Sequence, residues 1–96
     1  MNSTSISLLN GGHFDYEAPE RSRYCIEDIA RGLSKMPRFS GQTDRLYSVA
    51  QHCVLVSKIV PQEHALEGLL HDACEAFMAD IPSPLKRMLP GYVELE

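Results

Sequence analysis

A chain of 96 residues, 44% hydrophobic and 23% charged, has room for one small domain and the composition of an ordinary globular protein, which excludes a disordered, collagen-like or membrane chain. Its formal net charge of −4 with mixed signs lacks the basic face of a nucleic-acid binder, so no polymeric nucleic acid is expected as a partner. No stretch approaches the roughly 18 apolar residues that span a bilayer, and MNSTSISLL at the N-terminus lacks the basic head and apolar run of a signal peptide; no membrane partner and a cytoplasmic location are expected.

Cys25, Cys53 and Cys74 form no C-x-x-C pair and leave an odd thiol if two were bridged, so they read as small core hydrophobes. Over residues 5–16, β-branched and apolar residues flank Asn10-Gly11-Gly12. Asn-Gly best tolerates positive φ at both turn positions, which predicts a small β-hairpin. Residues 17–23, with Pro19, form a connector. From 26 to 36 the apolar residues Ile26, Ile29, Ala30, Leu33 and Met36 recur at helical spacing. Glu27 and Asp28 sit at the positive end of that helix dipole, and Pro37 ends it. Residues 38–43 form a loop with one fixed cation, Arg38.

Ser48 is the predicted N-cap of a helix reaching Val60, with Pro61 closing it or opening the next. At about 100° per residue, Val49, Cys53, Leu55, Val56, Ile59 and Val60 share one broad face, and His52 lies in its middle. A buried imidazole without a partner costs about 1–3 kcal/mol, so His52 must bond to a backbone carbonyl or to a ligand. The next helix is predicted over residues 62–78. Its apolar arc is Ala65, Leu66, Leu69, Leu70, Ala73, Ala76 and Phe77, while Gly68, His71, Asp72 and Glu75 share an adjoining wedge about 100° wide. A solvated face would more naturally carry Lys and Glu. Gly68 costs about 1 kcal/mol of helix propensity against alanine but leaves room for a ligand or a neighbouring helix. Ser83-Pro84 starts a short helix through Leu89, on which Lys86 and Arg87 read as solvated charges, and residues 92–96 resemble the first turn of another helix.

Two antiparallel helices, one with His52 and one with His71-Asp72, offer two nitrogens and an oxygen in the way helical bundles build metal sites. That set suits a divalent Mn, Fe, Co, Ni, Zn or Mg ion without choosing among them. Such an ion lowers the pKa of water toward about 7. Glu75, one turn from His71, is placed to take or return a proton.

These residues resemble the HD-domain metal-dependent phosphohydrolases, whose pattern is a histidine on one helix, a His-Asp pair on the next and a distant aspartate. His52, His71 and Asp72 match the first three. The likeness is closest to the bacterial and phage branch that includes the 5'-deoxynucleotidases. There an arginine and an aromatic precede the first histidine, and the His-Asp pair continues as H-D-x-x-E and then D-[IL]-P-x-P. This chain has Arg38-Phe39, then His71-Asp72-Ala73-Cys74-Glu75, then Asp80-Ile81-Pro82-Ser83-Pro84. The resemblance covers residues 26–89 and implies a mainly α-helical, HD-type bundle with the hairpin as its only strand structure. It implies a hydrolase of (deoxy)nucleotide phosphates acting through a metal-activated water, with His52, His71 and Asp72 as metal ligands. Glu75 would be the catalytic carboxylate that orients or deprotonates the water, Arg38 would contact substrate phosphate, and Asp80 would lie near the sugar. A guanidinium matches phosphate oxygens bidentately, which suits Arg38 to that place. The likeness also suggests a homo-oligomer.

The chain departs from that pattern in one respect. The distant aspartate normally arrives on a later helix, well beyond the D-[IL]-P-x-P stretch, and none of Asp15, Asp28, Asp44 or Asp80 stands at the matching position. Residues 1–96 are therefore expected to be the N-terminal part of a single HD-type domain lacking its C-terminal helices, with apolar surface left exposed. Two functional readings follow: the hydrolase, and a catalytically incomplete HD-type module that binds a nucleotide or a protein partner without turnover.

Overall fold

The computed structural model describes residues 4–96. β1 (Ser5–Ser7) and β2 (His13–Asp15) pair antiparallel, Ser5 opposite Asp15 and Ile6 opposite Phe14, as the Asn-Gly signal predicts. The turn closes through Leu8 N–H to Gly12 O at 2.9 Å and Gly11 N–H to Leu8 O at 3.1 Å, with Gly11 at φ 93°.

α1 (Ile26–Ser34) starts at Cys25, whose backbone N–H donates to Asp28 Oδ2 at 2.9 Å. Asn10 Nδ2 donates to the same oxygen at 3.1 Å, and Arg31 pairs with Oδ1 at 2.9 Å. Asp28, 4% exposed, therefore does more than answer the helix dipole: it ties the hairpin turn to the helix. The Cys25 N–H bond holds its carboxyl below the usual carboxylate range. The helix stops at Ser34, short of Met36, and Pro37 forms a backbone bridge with Ser48. Arg38 N–H to Tyr47 O and Val49 N–H to Met36 O, both 2.8 Å, stitch the two ends of the intervening loop together.

α2 (Val49–Ile59) has the predicted cap: Gln51 N–H donates to Ser48 Oγ at 3.1 Å and Ser48 N–H to Gln51 Oε1 at 2.7 Å. Such a capping box contributes about 1 kcal/mol. The predicted single helix over 62–78 is not one helix. After a 3₁₀ turn at Gln62–His64 the chain forms α3 (Ala65–Leu70) and α4 (Glu75–Met78), joined by a tightened segment. Ala73, Glu75, Ala76 and Phe77 each donate their N–H to the carbonyl three residues back, at 3.0–3.2 Å, and His71 and Cys74 have ψ of −27° and −25°. These are 3₁₀ bonds and dihedrals. α5 (Ser83–Lys86) and α6 (Pro90–Leu95) complete the chain.

The helices meet where glycine permits it. A Cβ on Gly68 would lie 3.1 Å from Val56 Cγ1, so the room it leaves is filled by α2; one on Gly32 would lie 2.9 Å from Ala76 O, so α1 lies directly against α4. Between them sits a small core of Leu33, Val49 and Cys53, flanked by Ile29, Met36, Ala50 and Ala76. On the other side of α4, Phe77 stacks on Phe14 at 4.4 Å and meets Tyr24 edge-on at 5.3 Å, which docks the hairpin.

Two further expectations need correction. Of the cysteines only Cys53 is in the core, while Cys25 and Cys74 are exposed. Lys86 is not simply solvated: its Nζ pairs with Glu96 at 2.9 Å and lies over the Tyr92 ring. Apolar surface is left exposed on α2 and α3, where Ile59 is 71% and Leu66 68% exposed. Among the described residues no helix is long and apolar enough to cross a membrane.

Candidate metal centre

α2 brings His52, and the tightened segment after α3 brings His71 and Asp72, to one point. His52 Nε2 lies 3.6 Å and His71 Nε2 3.0 Å from the same oxygen, Asp72 Oδ2, and all three atoms fall within 4.8 Å of one another. Ligands about 2.1 Å from a shared ion stand about 3.0–3.4 Å apart in adjacent positions, so the set fits a divalent cation after side-chain shifts on the order of an ångström.

Each histidine has a second partner. His71 Nδ1 lies 2.6 Å from Gly68 O, an acceptor only, so that nitrogen carries a proton and donates it. A carbonyl in this place fixes ring orientation and turns the Nε2 lone pair outward, the usual arrangement around a ligating histidine. His52 Nδ1 lies 3.2 Å from Arg38 Nη1. Burial, and then the Arg38 charge, push His52 below the ordinary histidine range, which keeps the imidazole neutral at neutral pH. His52 is half-buried rather than enclosed in the apolar face.

Glu75 is 6% exposed, and its carboxyl is pushed up to about 7, first by burial and then by the Asp72 and Asp80 carboxylates. The 3₁₀ tightening brings Glu75 into register with Asp72, whose carbonyl accepts the Glu75 N–H at 3.0 Å. At about 120° per residue, positions three apart eclipse, so Glu75 stands above Asp72 rather than one α-turn from His71 as the sequence suggested. A carboxyl that titrates near neutrality can both accept and return a proton.

Arg38 is half-exposed, its guanidinium 4.5 Å from the Phe39 ring centroid and 5.8 Å from that of Tyr47. Phe39 and Ser40 have φ of 54° and 53°, a left-handed backbone that non-glycine residues seldom adopt. Asp80 is half-buried, and its charge is among those that raise the Glu75 carboxyl. Its approach is set by Ala79 at φ 71° and ψ 163°, a region that glycine ordinarily occupies. Phenols hold the end of α4 there: Tyr16 Oη donates to Phe77 O, and Tyr92 Oη lies 3.0 Å from Met78 O and 2.8 Å from Ala79 O. These satisfy carbonyls that a helix C-terminus leaves unbonded.

Sequence reasoning passed over Tyr47, whose ring meets His52 edge-on at 6.5 Å. A signal was present. Tyr47 precedes the Ser48 cap and His52 is four positions beyond it, the spacing of a staple across a helix start. Ala79 and the Tyr16 and Tyr92 contacts have no comparable signature.

No protein-family model matches the chain. It is similar to the uncharacterized protein YfdR of Escherichia coli, 50% identical over 91 residues that make up 95% of this chain and 51% of that protein. It is also similar to an uncharacterized protein of Rhodobacter capsulatus, 38% identical over 99 aligned residues, 93% of this chain and 50% of that protein. The chain thus spans about half the length of the curated relatives it matches.

Proposed function

We propose that the chain carries the metal-binding and phosphate-binding side of an HD-type phosphohydrolase acting on nucleotide phosphates. The observation that supports this reading is the convergence of His52 Nε2, His71 Nε2 and Asp72 Oδ2 within 4.8 Å, with a guanidinium against one of the histidines. A divalent ion held there supplies Lewis-acid activation of water. Glu75 takes the proton of the attacking water as its oxygen bonds to phosphorus and the bond from phosphorus to the leaving oxygen breaks; the same carboxyl returns the proton to the leaving group. Arg38 binds phosphate oxygens and offsets the charge that gathers on them. Asp80 accepts hydrogen bonds from sugar hydroxyls.

The second reading, a module that binds nucleotide or a protein partner without turnover, is favoured by the ligand count. Among the described residues only these three form a cluster able to hold a metal ion. Asp15 accepts from Thr4 Oγ1 at 2.7 Å and from the Glu17 N–H at 2.9 Å, and Asp28 is committed to α1, so neither completes the set.

Phosphate release from a panel of nucleotide mono- and triphosphates, with the metal-loaded chain and its Glu75→Ala variant, separates the two. Release by the parent that disappears in a variant still holding metal supports the hydrolase. Release unchanged in the variant removes the role given to Glu75, and nucleotide binding without release leaves the binding module.

A further inference from the structure

His52 and His71 are held in opposite tautomers. The His71 Nδ1 proton is fixed by Gly68 O at 2.6 Å, which leaves Nε2 with its lone pair toward Asp72. His52 is the reverse case. A guanidinium has only donors, so the 3.2 Å contact from Arg38 Nη1 requires a lone pair on His52 Nδ1. The neutral ring then carries its proton on Nε2, the atom directed at Asp72 Oδ2. A protonated Nε2 cannot ligate a metal. For His52 to ligate through that atom, its proton must pass to Nδ1, and an Nδ1–H facing an Arg38 N–H sets donor against donor. Arg38 must then leave. Its resting place lies against the flat Phe39 and Tyr47 rings, and among the described residues no carboxylate pairs with it, so the freed guanidinium has its donors for an oxyanion.

We propose that Arg38 is a positioning residue that couples the metal and phosphate sites: its hydrogen bond to His52 Nδ1 holds the metal-free centre in a non-ligating tautomer. Metal binding and oxyanion binding each release the same contact, so each favours the other, and by linkage the coupling is reciprocal. This inference rests on the metal reading above. It adds that an arginine that is not itself a ligand controls when His52 can join the others.

Two measurements test it, neither of which needs turnover. Ring-nitrogen NMR at pH 8 on the metal-free chain is expected to show His52 protonated on Nε2 and His71 on Nδ1, with His52 moving to the Nδ1–H form on adding Zn2+. Chelator-buffered Zn2+ titrations give the coupling. Inorganic phosphate should tighten Zn2+ binding to the parent about tenfold, in the ordinary range of coupling between two ligands. Arg38→Met, which keeps the stem against Phe39, should bind Zn2+ more tightly in the absence of phosphate and lose the phosphate effect. Because removing a nearby positive charge would by itself tighten Zn2+, the tautomer decides between the two causes. A metal-free parent with His52 already protonated on Nδ1 overturns the proposal, as does equal phosphate enhancement in both chains. Absence of Zn2+ binding in both chains overturns the metal reading and this inference together, whereas Zn2+ binding without coupling overturns this inference alone.

Discussion

His71 and Asp72, neighbours in the chain, bring Nε2 and Oδ2 within 3.0 Å of each other, while the opposite nitrogen of His71 is committed to Gly68 O. Both facing atoms then present lone pairs, and the contact is satisfied by a cation between them, a proton or a metal ion. Purified chain dialysed against divalent metal is therefore expected to retain close to one equivalent by elemental mass spectrometry. His71→Ala and Asp72→Ala should each lose it. At free metal about 100-fold above Kd the bound ion would stabilise the parent by about 2.7 kcal/mol, visible as a rise in Tm absent from both variants. Equal metal content in parent and variants would remove these residues as ligands.

The two close helix contacts differ in what a methyl group would strike. At Gly32 the obstacle is the Ala76 carbonyl at 2.9 Å, backbone of α4; at Gly68 it is the side-chain methyls of Val56 and Val60 at 3.1 and 3.3 Å, which need give by only a few tenths of an ångström. Gly32→Ala should cost about 1–3 kcal/mol through displaced backbone, more than the roughly 1 kcal/mol of helix propensity that alanine returns. Gly68→Ala should come out near neutral. Urea unfolding of both variants checks the order, and a Gly68 variant less stable than the Gly32 variant would contradict it.

Some of this centre was legible in the sequence. Asn10-Gly11 announced the hairpin, and Ser48 announced the start of α2, because turn and cap chemistry is local. The run from Gln62 to Met78 misled for a physical reason. Passing from about 100° to about 120° per residue shifts each position only slightly, so the apolar periodicity survives while the ladder changes to i→i−3 bonds. The shift accumulates, and it is what sets Glu75 over Asp72. Lys86 was misread because its partner, Glu96, lies ten residues away, just past the end of α6. The Arg38–His52 contact depends on the bridge between Pro37 and Ser48, which no local pattern encodes.

Ala79 holds a backbone conformation, φ 71° and ψ 163°, that costs a non-glycine residue about 1–3 kcal/mol. Ala79→Gly should relieve most of that and raise stability by about 1 kcal/mol after the added freedom of the unfolded chain is counted. The same change loosens the approach of Asp80, so the nucleotide binding proposed above should weaken as Tm rises. A variant that loses stability would show that Ala79 is not strained in solution.

Glu75 gives the chain a pH dependence of defined sign. Its folded pKa, about 7, lies above the ordinary 4.5, chiefly because the carboxyl is buried and secondarily because Asp72 and Asp80 are near. The folded state therefore holds this proton more tightly than the unfolded state does. Below pH 4.5 the group is neutral in both states and carries no penalty; between 4.5 and 7 the unfolded chain releases the proton and the folded chain keeps it; above 7 the full cost of a buried charge is present. At about 1.4 kcal/mol per pH unit, that cost is on the order of 3 kcal/mol in the metal-free chain. Glu75→Gln removes the charge and keeps the shape, so it should stabilise the chain at about pH 8.5 and change little at about pH 4.5. Adding divalent metal should shrink the difference, because a cation beside Asp72 favours the ionised carboxylate. Denaturant titrations at the two pH values, with and without metal, carry the test. The same gain at both pH values would mean that Glu75 is not the group that titrates, and its proposed place as proton acceptor for the attacking water would fall with it.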